Sequence, residues 1–253
     1  MSTTNTPAPA PSAPPTRLAC ANCGGELTAA YCANCGQHRR GSERLQVREI
    51  VARSCEHLFD FDSAFLGTLV GLFRRPGELC REYVQGRRKR YMNPFGYFVL
   101  SGTVSLFVST VVGWFAGAPA DPEEEFIANH VLWIMLAMLV PLAFLWRRLF
   151  RRSGYNLAEN YVFALYVLAQ FSWLETIVLL PLPYFVSDLV LAIVYVALWQ
   201  AYVTYAATPF YGEPALIVGL KVLASALLFA LSAAAIAFVV GIVVYFLDPA
   251  AAG

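Results

Sequence analysis

The sequence predicts an all-α membrane protein of about five transmembrane helices, its N-terminus cytoplasmic, preceded by a small four-Cys zinc ribbon and amphipathic helices. Three observations lead there. Of 253 residues, 58% are hydrophobic and only 14% charged, where a soluble domain has about a quarter charged. The charges crowd into residues 1–94, and the long apolar stretches begin only at Phe95. The pentapeptide Cys-Ala-Asn-Cys-Gly occurs twice, at 20–24 and 32–36.

Residues 1–16 are rich in Pro, Ala, Ser and Thr; they cannot bury a core, lack the apolar run of a signal peptide, and read as a disordered tail. Residues 17–40 hold the cysteines. In 41–94, a cytoplasmic juxtamembrane region, Val47, Ile50, Val51, Leu58 and Phe59 recur at helical spacing opposite Arg48, Glu49, Arg53 and Glu56, which predicts an amphipathic helix over 44–60. Asp62 and Ser63 can cap a second short helix through Phe73, too short to cross a bilayer and placed in its interface or beneath the membrane domain. Pro76 suits the first turn of a third segment ending near Gly86.

The transmembrane domain, 95–253, has apolar spans at about 95–116, 126–146, 161–181, 189–208 and 215–247. The last is long enough to hide a hairpin, but Ser232-Ala233-Ala234 makes a poor turn, so one helix starting in the interface near Lys221 is expected. Thirteen of the 18 Lys and Arg lie in 1–94, four at 147–152, and the last is Lys221. With the N-terminus inside, all of them fall on the cytoplasmic side, and the outer segments carry Asp121, Glu123, Glu124, Glu125, Asp188 and Asp248 instead.

Each Cys-x-x-Cys turn sets two thiolates side by side, and two turns facing each other complete a tetrahedral S4 site of Cys20, Cys23, Cys32 and Cys35. The eight-residue spacer suits a minimal hairpin with arms Glu26-Leu27-Thr28 and Ala30-Tyr31. In a reducing compartment structural zinc is favoured over disulfides, iron or a redox pair. Sulfur fills every position, so the site is closed to substrate. Cys55 and Cys80 have no partner at metal spacing, and His38 is expected at the surface.

His57-Leu58-Phe59-Asp60-Phe61-Asp62-Ser63, Arg75-Pro76-Gly77, Arg81-Glu82-Tyr83, Gly86-Arg87-Arg88-Lys89-Arg90-Tyr91 and Asn93-Pro94-Phe95, with Cys35-Gly36-Gln37 upstream, make residues 55–100 resemble a bacterial family named domain of unknown function 3667. The resemblance implies a cytoplasmic zinc ribbon followed by a multi-pass domain, and no activity.

Among intramembrane polar residues, Gln170, Glu175 and Gln200 stand out; a carboxylate there either serves function or hydrogen-bonds a neighbouring helix near Gln200, Tyr202 or Thr204. Glu159 is expected to pair with Arg147, Arg148, Arg151 or Arg152. Together with Arg87, Arg88, Lys89 and Arg90, these four arginines form a positive-inside signal. The same eight residues are candidate contacts for anionic lipid headgroups or another phosphate, at about 1 kcal/mol per charge. A net excess of five cations in 1–94, interleaved with acids, argues against nucleic acid. No G-x-S-x-G, H-E-x-x-H or phosphate loop occurs, which argues against an enzyme. The leading functional expectation is a membrane-anchored interaction or regulatory protein whose ribbon and juxtamembrane helices dock a cytoplasmic partner or the anionic membrane surface. The alternative is a transporter or lipid-handling protein using Glu175 and Gln170.

Overall fold

Helices account for most of the chain because its apolar stretches are long and Pro and Gly punctuate their ends. The computed structural model describes residues 18–39, 44–46, 64–115, 122–180 and 182–247. The tail over 1–16, most of the predicted amphipathic helix, Cys55, His57 and the caps Asp62 and Ser63 lie outside the described residues. Strands β1 (Leu18–Ala19) and β2 (Glu26–Leu27) precede helices α1 (Ala64–Arg74), α2 (Pro76–Val84), α3 (Pro94–Phe115), α4 (Pro122–Leu149), α5 (Leu157–Leu174), α6 (Asp188–Tyr211) and α7 (Ala215–Leu247).

Among the described residues four stretches are long and apolar enough to cross a membrane: Pro94–Phe115, Leu157–Val178, Asp188–Tyr211 and Ala215–Ser232. The remaining predicted span lies in α4, a 28-residue helix whose described side chains begin at Met135. The final segment is one helix of 33 residues, without a hairpin. Ile177, Leu189, Ile193, Leu216, Leu220 and Leu227 are all exposed on these helices. An apolar surface of that extent finds a stable environment in lipid, which makes this a membrane protein.

The centre of the bundle is α5, which packs against α1, α2, α3, α4 and α6. Its N-terminus is set by a capping box: Glu159 N–H donates to Asn156 Oδ1 at 2.9 Å, and Asn156 N–H donates to Glu159 Oε2 at 2.7 Å. Helix α3 runs parallel to α5, because their partners advance together: Tyr97 OH donates to Gln170 Oε1 at 2.5 Å, Trp173 Nε1 to Ser101 Oγ at 2.9 Å, and Ser105 and Thr176 hydroxyls meet at 2.7 Å. Helix α6 runs the other way, with Trp199 beside Phe171 and Phe210 stacked on Phe163. Phe150 stacks on Tyr211 at 3.8 Å and Tyr155 on Phe210 at 4.4 Å, so rings tie the α4–α5 turn to the end of α6. Each such pair contributes about 0.5–1.5 kcal/mol beyond its buried area.

Helix α2 packs against α5 and the end of α6, while α1 reaches from Tyr202 and Tyr205 on α6 to Trp173 near the end of α5. Tyr202 OH donates to Leu72 O at 3.3 Å, Tyr205 OH to Arg74 O, and Arg81 Nη1 to Pro209 O at 3.2 Å. Leu72 is fully buried, whereas Leu66, Val70 and Phe73, spaced along one face of α1, are exposed. An amphipathic helix with that outward stripe suits the interface of a bilayer.

Candidate metal centre

Each cysteine turn is built the same way. Gly24 N–H donates to Cys20 O and Gly36 N–H to Cys32 O, both at 2.8 Å, and the two glycines have φ of 75° and 70°. A left-handed residue at this point lets the chain fold back around its sulfurs at no steric cost. Cys20 N–H then donates to Gly25 O at 2.8 Å and Cys32 N–H to Gln37 O at 2.9 Å.

The hairpin arms differ from those expected. Each turn closes on its own flanks: Leu18 pairs with Leu27 and Ala19 with Glu26 around the first, and Tyr31 bridges His38 around the second. The reason is local, since a turn that reverses the chain over four residues brings its own flanks together before the two repeats can pair. His38 is half-buried, edge-on to Tyr31 at 4.8 Å.

The four sulfurs of Cys20, Cys23, Cys32 and Cys35 all lie within 4.8 Å of one another, with Cys20–Cys35 at 3.7 Å and Cys23–Cys32 at 3.6 Å. Metal–sulfur bonds of ~2.3 Å give a tetrahedron with edges of ~3.8 Å. The cluster can therefore hold a metal ion, and these cysteines form no disulfide. A Cβ on Gly25 would sit 3.4 Å from Cys23 Sγ, so the chain wraps the sulfurs closely.

The repeats first differ at Gly25 against Gln37, and that difference seats the ribbon on the helical body. Gln37 is buried; its Nε2 donates to Gly86 O at 2.7 Å, and its Oε1 accepts from Arg88 N–H and Lys89 N–H, both at 3.3 Å. One side chain thus pins the loop between α2 and α3.

Residues 62–106 match the family model described as protein of unknown function (DUF3667). The DUF3667 match spans α1, α2, the loop seated on Gln37 and the first part of α3, and leaves Cys20, Cys23, Cys32 and Cys35 outside it. No curated protein matches the chain, and no solved structure matches it.

Within the DUF3667 stretch the basic loop is partly neutralised. Glu82 faces Arg75 at 3.4 Å and Arg87 at 3.8 Å, and accepts from Tyr91 OH at 2.6 Å. Burial first, then the Glu82 carboxylate, pushes the Tyr91 phenol up to about 12, so it remains a donor. Arg88 is buried, while Arg87, Lys89, Arg90, Arg147, Arg148, Arg151 and Arg152 are exposed.

Glu159 pairs with Arg44 and not with the arginines of 147–152. Arg44 Nε and Nη2 each reach a Glu159 oxygen at 3.0 Å, and Nη2 also donates to Gly154 O at 2.6 Å. Asn156 Nδ2 donates to Leu45 O at 2.9 Å, so residues 44–46 strap across the start of α5 and present Arg44 in fork geometry. Glu159→Ala is expected to cost about 1 kcal/mol, mostly through the lost half of the capping box, in which Asn156 N–H donates to the Glu159 carboxylate, because Arg44 is largely exposed and its ion pair is screened. Thermal unfolding in detergent reads this, with Arg44→Ala expected to cost less than half as much.

The intramembrane residues separate. Gln170 is buried against Tyr97, and Gln200 Nε2 donates to Gly219 O at 2.8 Å and to Thr204 Oγ1 at 3.3 Å, tying α6 to α7. Tyr202 serves Leu72, so none of the predicted neighbours on α6 holds Glu175. Glu175 instead opens a π-turn, Glu175–Leu179, that continues α5.

Sequence reasoning gave no role to Gln37, Arg44 or Asn156. Two of the three had a readable signal: the break in the repeat at Gln37, and the Asn-x-x-Glu spacing of a capping box at Asn156.

Proposed function

We propose that this protein is a multi-pass protein of the cytoplasmic membrane, its N-terminal side in the cytoplasm, that uses a zinc-loaded ribbon seated on the juxtamembrane loop to dock a regulatory partner. The observation that carries this reading is Gln37, whose one side chain couples the ribbon to residues 86–89. A ribbon serving only its own stability has no need of a buried bond to the helical body.

Four thiolates favour zinc among the common divalent ions, and a closed S4 site is structural. Orientation rests on the basic residues, which gather at one end of the bundle, and on the parallel course of α3 and α5. The exposed Lys89, Arg90, Arg147, Arg148, Arg151 and Arg152 suit the anionic leaflet, which would hold the docking surface at a set height.

The test is crosslinking of the full chain in intact cells. A cytoplasmic protein linked to residues 18–39 is expected, and the link is expected to be lost in Gln37→Ala. That variant keeps all four sulfurs, so its metal content should equal wild type while amide exchange at Arg88 and Lys89 rises at least tenfold. A crosslinked set that survives deletion of the ribbon unchanged overturns the proposal.

A further inference from the structure

Beyond the ribbon, a polar feature lies between α3, α4, α5 and α6. A partly open cavity of about 390 Å³ sits there, within the size range of small-molecule sites. Glu175, Ser105, Ser109, Ser172, Thr176 and Tyr195 supply its polar lining, with Leu106 and Leu191 among the apolar walls. No Lys, Arg or His is among the described lining residues.

Two facts make the cavity more than a packing defect. Glu175 starts a single π-turn, and such turns gather at functional sites because they cost a helix its regular hydrogen bonds. No hydrogen bond or ion pair joins the Glu175 carboxylate to a described residue, whereas Gln170 accepts through Oε1 and Gln200 donates through Nε2. A carboxyl group among apolar helices calls for a proton, a cation or a hydrogen-bonding ligand.

From this geometry we propose that the cavity binds a small amphipathic amine, its ammonium group against Glu175 and the surrounding hydroxyls and its apolar part against Leu106 and Leu191. Charge complementarity selects this occupant: among the described lining residues one carboxylate stands with hydroxyls and without a cation, which disfavours an anionic ligand, and the volume is far larger than a bare metal ion fills. The mostly apolar wall favours an alkyl-bearing cation over a hydrophilic one.

Binding of radiolabelled octylamine to the full chain in detergent tests this. One saturable equivalent is expected, displaced by unlabelled octylamine and not by octanol or octanoate. Glu175→Gln, which keeps the shape and removes the charge, is expected to weaken binding at least tenfold at unchanged thermal stability. Displacement by octanol as readily as by octylamine makes the cavity a seat for a lipid chain and overturns the proposal, as does the absence of saturable binding. Those wild-type comparisons decide the question even where the glutamine variant fails to fold.

Discussion

A Cys32→Ser protein is expected to purify without bound metal and with residues 18–39 open to proteinase K. The ribbon has little else to hold it: among the described residues its buried apolar side chains are Cys20, Leu27 and Cys32, with Cys35 beside them. Its strands β1 and β2 are only two residues long. Burial on that scale contributes a few kcal/mol, whereas a structural zinc site contributes about 10–16 kcal/mol. Loss of one thiolate should therefore unfold the ribbon, not merely loosen it. The effect should reach further than the cysteines, because Cys32 N–H donates to Gln37 O and so helps place the side chain that holds Gly86, Arg88 and Lys89. Metal stoichiometry and amide exchange at Arg88 and Lys89 read the two consequences separately. Cys80→Ser, at a buried position in α2 far from the cluster in sequence, is the control and should leave the metal in place. An unchanged metal content in Cys32→Ser removes the site from the molecule.

How far the sequence could be read depended on whether a feature was periodic or singular. Long apolar stretches announce helices because a bilayer demands length and apolarity together, so α3, α6 and α7 were visible from their composition. Pro76 announced α2, since proline fits a first turn and little else in a helix. The repeated cysteine pentapeptide announced the four-cysteine cluster, and the structure brings those sulfurs together so that they can hold a metal ion. The hairpin arms around them were misread because strands of two residues carry no alternation to read. Glu159 was given the wrong partner because Arg44 lies more than a hundred positions away in the chain, while four nearer arginines offered themselves. The π-turn at Glu175 leaves no pattern at all: an extra residue in one turn rotates the facing of every later residue in the helix, and in a uniformly apolar stretch such a rotation is invisible. Tyr97, Tyr166 and Tyr211 sit between these cases. A phenol in an apolar helix needs an acceptor, but only the fold shows that they find Gln170 Oε1, Met92 O and Asn160 Oδ1.

In the helical body the substitution expected to tell most is Gly77→Ala. Gly77 lies in the first turn of α2, where alanine would ordinarily favour the helix by up to ~1 kcal/mol. Here a Cβ would fall 2.1 Å from Ala206 O, 2.6 Å from Pro209 Cγ and 2.9 Å from Phe210 N. Two of those three atoms belong to the backbone of α6 and cannot swing aside as a side chain can. Helix α2 would have to withdraw, straining the Arg81 bond to Pro209 O and the packing of the buried Leu79, Cys80 and Tyr83. Overpacking of this kind costs about 1–3 kcal/mol, which exceeds the helical gain and reverses its sign. Gly67→Ala in α1 is the matched control, since nothing lies within 4 Å of a Cβ there. Thermal unfolding in detergent should place Gly77→Ala below wild type and Gly67→Ala at or above it. Cys80 supplies a second reading. Burial pushes its thiol up, so it is inert in the native protein; a shifted α2 should let a thiol reagent modify it, as peptide mass mapping would show. A Gly77→Ala protein that melts no lower than wild type, with Cys80 still protected, would mean that α2 does not press against α6 as described. In that case the Gln37 seat, which rests on the loop leaving α2, would lose its foundation as well.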